Sequence, residues 1–198
     1  MAEIASRSTQ LFAAKWFSEL LELIELSYKL ERVRVMVVKD YGSLEIDGVV
    51  YELRRGTEIE LPRWIAEVLE EAGIVEVLET GLGLEDIARI HFSTHSVKSM
   101  RELERLPENF YIQAKEYLRE LEARIRRELN TTLLEEKQKA ELYLVEIINR
   151  RLGMILQVLR SPASLAEIYE KFTEEEKLLA DALRGLIEEW REKVFGKP

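Results

Sequence analysis

The chain has no cysteine, two histidines and four prolines in 198 residues. Without cysteine it forms no disulfide and no zinc–thiolate site, and it offers no thiol nucleophile. Long hydrophobic runs are missing too. The start, MAEIASRSTQLFAAKWFSELLELIEL, is apolar in part, but Lys15, Glu19, Glu22 and Glu25 interrupt it. That pattern excludes a signal peptide or a membrane span and predicts a soluble, cytoplasmic chain. Positive charge is in short supply: 29 Lys+Arg face 38 Asp+Glu, a net of −9. A protein that grips duplex DNA by its phosphates usually has the opposite balance. The deficit is concentrated in residues 1–80, where 9 Lys+Arg face 16 Asp+Glu, whereas the remainder holds 20 against 22. The acidic N-terminal part suits a basic protein partner.

What is present points to a folded chain, with 46% hydrophobic and 34% charged residues. Asn and Gln are scarce beside Glu, Lys and Arg, a thermophile-like bias. From about Ser8 to Leu30 apolar residues recur at helical spacing through Leu11, Phe12, Trp16, Leu20, Leu23 and Ile24. VRVMVV (33–38) is β-branched and reads as a strand. Asp47-Gly48 between two apolar runs signals a hairpin, because a type I′ turn needs positive φ at both central residues. RRG (54–56) is a second turn and TEIEL a short strand. In ELPRWIAEVLEEAGIVEV (60–77), Pro62 suits the first helical position and Gly73 the left-handed stop, with a strand after it. Ile65, Val68, Leu69 and Ala72 are expected on its inner face, with Ile65, Val68 and Leu69 as core and Trp64 beside it.

The predicted fold class is α+β. A helix and a small β-rich domain occupy 1–79, TGLGL (80–84) is the linker, and an all-α helical bundle fills 85–198. In the second part, LEDIARIHF is a short helix and STHSVKS a polar loop. The helix after Pro107 places Phe110, Ala114, Tyr117, Leu118, Leu121 and Ile125 on one face. A helix from about Leu133 to Leu159 carries a seam at Ile148, Leu152, Ile155 and Leu159. It is apolar on more than one side, as expected of a helix buried among several neighbours or shared with another subunit. After a break at SPAS come two capping-box signatures, Ser164 with Glu167 and Thr173 with Glu176. The last helix carries Leu183, Leu186 and Trp190 on its apolar face.

Candidate chemistry is sparse. His91 and His95, at i and i+4, would share a helical face as a metal pair requires, but no carboxylate lies between them as in HExxH. The Ser/Thr-rich context argues for a loop instead, so no metal is expected. Gly81-Leu82-Gly83 lacks the spacing of a phosphate loop. Glu174, Glu175 and Glu176 read as helix-start acids rather than as a catalytic group. Arginine clusters at 124, 126 and 127 and at 150 and 151 are either solvated or ion-paired faces, or the footprint of a nucleic-acid-binding module. No catalytic residue and no cofactor is expected.

The layout of a small β-rich part with ELPRWIAEVLEEAGIVEV, a glycine linker, then LPENFYIQAKEYLRELEARI, AELYLVEIINRRLGMIL and FTEEEKLLADALRGLIEEW, resembles archaeal subunits of the GINS replication complex. It resembles the type with the small B domain first and the helical A domain second, over about residues 33–195. The helix at 8–30 is an addition ahead of that layout, there either to pack on the domain or to dock a partner. The resemblance implies a non-enzymatic, nucleoid-associated scaffold. Its implied partners are a sister GINS subunit in a heterotetramer, the MCM helicase, a RecJ-like protein, and primase or DNA polymerase, with direct DNA contact left open. Ile148, Leu152, Ile155, Leu159, Leu183, Leu186 and Trp190 become candidate interface or core residues, and Trp64 a candidate partner contact.

Overall fold

The computed structural model describes residues 2–79, 81–128, 130–160 and 168–196, with side chains from Lys15 onward except at residue 100. The expectations at Leu11, Phe12, SPAS and the Ser164–Glu167 capping box lie outside the described side chains and residues. The fold is α+β, and the chain divides into two units, Met1–Thr80 and Gly81–Pro198.

The first unit runs α1 (Ala2–Leu30), β1 (Arg32–Val37), β2 (Gly42–Ile46), β3 (Val49–Leu53), β4 (Glu58–Pro62), α2 (Arg63–Glu71) and β5 (Val75–Val77). β1 is the middle of a three-stranded antiparallel sheet in the order β4–β1–β5. Its alternating valines, 33, 35 and 37, all turn into the core, as the two-residue strand period requires. Val33 lies opposite Leu61, and Val35 lies between Ile59 and Val77. β2 and β3 form the expected hairpin, with Asp47 at φ 50° and Gly48 at φ 77°.

α2 closes the sheet. Pro62 ends β4 at ψ 136°, so it flanks the helix instead of occupying its first turn. The helix starts at Arg63, whose backbone N–H donates to Glu31 O at 2.8 Å. Gly73, at φ 66°, stops it in a Schellman motif: Gly73 N–H bonds Glu70 O and Ile74 N–H bonds Leu69 O, both at 2.9 Å. Ile65, Ala66 and Leu69 are buried, but Val68 is 60% exposed and Ala72 is exposed as well. The small Ala66 brings the backbone close to the sheet and centres the inner face near 65, 66 and 69. Val68 is then about 100° away around the helix. At the end of α1, Tyr28 is buried under the Arg63 guanidinium, 4.2 Å above its ring, and Lys29 pairs with Glu67 at 2.5 Å.

The second unit contains α3 (Leu84–Ser96), a 3₁₀ turn (Met100–Glu102), α4 (Phe110–Glu128), α5 (Thr131–Leu159) and α6 (Glu174–Phe195). Residues 82 and 84, expected in the linker, pack on the helical core. STHS, expected as a loop, is helical. Ser93 and Ser96 donate their hydroxyls to the Ile90 and Phe92 carbonyls (3.1 and 2.8 Å), so the helix itself satisfies them, and Thr94 is buried. α5 serves two core clusters. Its first half (Ala140, Leu144, Ile147) packs with Ile87 and Phe110; its second half (Met154, Ile155, Val158, Leu159) packs with Leu103, Phe172 and Ala180. α6 opens with the expected capping box: Thr173 Oγ1 accepts from Glu176 N–H, and the Glu176 carboxylate accepts from Thr173 N–H.

Candidate functional site

α5 carries two apolar stripes rather than one seam. The inward stripe continues from Ala140 through Leu144, Ile147, Met154 and Val158. The second, Leu142, Val145, Ile148, Leu152 and Leu156, recurs every three to four residues, and every member but the half-buried Leu152 is exposed, Ile148 to 45%. The expected seam therefore divides. Ile155 and Leu159 belong to the private core, while Ile148 and Leu152 belong to the outer stripe. The face of α6 divides similarly. Leu183 packs against the core with Leu179 and Ile187, but Leu186 and Trp190 (58% exposed) lie outside it, as does Val194. In the first unit, Trp64 is 44% exposed, and Val68 is the next apolar residue one turn along on α2. α1 also exposes Trp16, Leu23, Leu26 and Leu30.

The arginine clusters fare unequally. Arg124, Arg126 and Arg127 are exposed on α4. The cluster at 150–151 does not exist as a surface: Arg151 is 2% exposed in the core of the helical unit. Its guanidinium forks onto Glu176, with Nη2 2.6 Å from Oε2 and Nε on Oε1, and it also donates to the Glu104 and Lys171 carbonyls at 3.1 Å. Arg150 donates to Val97 O at 2.9 Å. Glu176 has a further donor in Tyr111 Oη at 2.7 Å. Burial, then the charge and hydrogen bond of Glu176, push the Tyr111 phenol far above its ordinary range. Burial of Tyr117, reinforced by its 2.5 Å bond to Glu136, does the same there.

The helical STHS segment brings the two histidines together. Their ring centroids are 4.3 Å apart, and His91 stacks on Tyr143 of α5 at 4.6 Å. His91 Nε2 is hydrogen-bonded to Glu146 Oε2, also from α5. One donor atom from each of His91, His95 and Glu146 lies within 4.8 Å of the others.

No protein-family model and no curated protein matches the chain. Sequence reasoning missed Glu146 because it lies 55 residues from His91 and on another helix. It missed the Arg151–Glu176 pair for the same reason, although Glu176 carried a signal in its capping box. No described helix is long and apolar enough to cross a membrane.

Proposed function

We propose that the chain is a non-enzymatic assembly subunit, of the kind the resemblance to GINS implies. It would pack its helical unit against a sister subunit and scaffold the MCM replicative helicase and other fork proteins. The observation that carries the reading is the outer stripe of α5. Leu142 to Leu156 spans about 21 Å of helix at 1.5 Å per residue, a length suited to a helix–helix subunit contact. The stripe is apolar at each turn and separate from the stripe that fills the core. Leu186, Trp190 and Val194 on α6 add a second apolar surface in the same unit. Contiguous exposed apolar surface of this kind marks interaction sites, and a central tryptophan is a favoured anchor. Trp64 with Val68 on α2 offers a small acidic-flanked contact for a further partner.

Co-expression with a sister GINS subunit of the reverse domain order, followed by size-exclusion chromatography with light scattering, tests the reading. A heterotetramer is expected, reduced to separate subunits by Ile148→Glu with Leu156→Glu. A well-behaved monomer that ignores every sister subunit overturns it.

A further inference from the structure

We propose that His91, His95 and Glu146 form a binding site for a divalent transition-metal ion of the zinc class. The inference departs from the expectation of no metal, and it stands independently of the assembly reading. Four observations carry it. The i, i+4 spacing is realised on a continuous helix, so both imidazoles leave the same face of α3. α5 supplies the carboxylate that the local sequence lacks, and one donor atom from each residue falls within 4.8 Å of the others. His95 Nδ1 lies 3.1 Å from the His91 carbonyl oxygen. A carbonyl oxygen only accepts, so Nδ1 is the donor there; in the neutral ring that leaves the lone pair on Nε2, the arrangement outer contacts impose on metal-ligating histidines. Finally, the Tyr143 ring holds the His91 imidazole, with 26° between the planes, and Nε2 already points at Glu146.

Tetrahedral zinc, with bonds of about 2.0–2.1 Å, sets its ligand atoms about 3.3 Å apart. The directly bonded His91–Glu146 pair would open slightly and His95 would move inward. Its side chain is exposed, so a small torsional adjustment within the present rotamer is sterically open. Two imidazoles and one carboxylate suit zinc and its neighbours over the hard, oxygen-seeking magnesium. The three ligands leave a fourth position for water, and the ion would tie α3 to α5.

The full chain, free of any histidine tag and treated with chelator, is titrated with Zn²⁺ while the imidazole signals are followed by NMR. The chain has only two histidines, so both rings can be assigned. Both are expected to shift together and to saturate at one equivalent, with Nδ1 of His95 still protonated. Mg²⁺ is expected to produce no such shift. By calorimetry, His95→Ala and Glu146→Gln should each weaken binding by more than about tenfold, since loss of an outer-shell partner alone costs about 10–100-fold. A shift at one ring only, an equal response to Mg²⁺, or wild-type affinity in either variant overturns the proposal. The NMR arm uses the wild-type chain and holds whether or not the variants fold.

Discussion

The β-rich unit and the helical unit solve the burial problem differently. The first has one small core that is apolar throughout, built from the β1 valines, Leu53, Leu61, Ile65, Leu69 and Val75. The second has two apolar clusters on one long helix, and a buried Arg151–Glu176 pair, capped by Tyr111, on and around that helix. A small sheet core gains everything from area removed from water, and any hydrophobe of about the right size serves it. A buried ion pair contributes less net stability, because desolvation offsets much of its attraction. It does penalise any packing of α5 against α6 that leaves either charge alone. On that ground the pair is predicted to hold the helical unit to one register and so to present its leftover apolar stripe in a defined direction.

The comparison breaks most sharply at the ion pair. Glu176→Ala leaves a buried guanidinium without its carboxylate and should cost about 3–5 kcal/mol. The loss should appear in urea denaturation and in hydrogen exchange across α5 and α6, while β1 and β4 keep their protection. Replacing both partners by apolar residues of similar volume should cost much less. If Glu176→Ala matches the double variant, the pair does not set the register.

Next comes the sheet core, where Leu61→Ala should cost about 2–5 kcal/mol and Val68→Ala should stay within about 0.5 kcal/mol. Comparable losses for these two substitutions would return Val68 to the core.

Removing the cap hydroxyl with Thr173→Ala should cost about 1 kcal/mol, read as a lower denaturation midpoint in the helical unit alone.

The smallest effect separates the units by pH. Burial, then the hydrogen bond that its hydroxyl donates to Asp181, push Tyr169 up to about 12, and Tyr111 and Tyr117 are also raised. Below pH 10 these phenols are protonated in folded and unfolded chains alike, so their contribution is fully present. Above pH 10 the unfolded chain ionises first, and stability declines as pH rises toward the folded-state values. Thermal melts from pH 9 to 11 should therefore show a decline in the helical unit that Tyr169→Phe reduces. No change with that variant would remove Tyr169 as its source.

Several local features were legible in the amino acids because short-range sterics and hydrogen bonds decide them. Asp47-Gly48 can adopt the paired positive φ of a tight hairpin, Gly73 can stop α2, and Thr173 with Glu176 can cap α6. Periodicity likewise determined that α5 would be a helix apolar on more than one side. It could not say which side is covered, because neighbours remote in the chain do the covering. For that reason only the tertiary structure divided Ile155 and Leu159 from Ile148, turned Val68 outward and took Arg151 off the surface. It also set Glu146 beside two histidines that the sequence left without a third ligand, since a carboxylate 55 residues away becomes a neighbour only when α3 packs on α5.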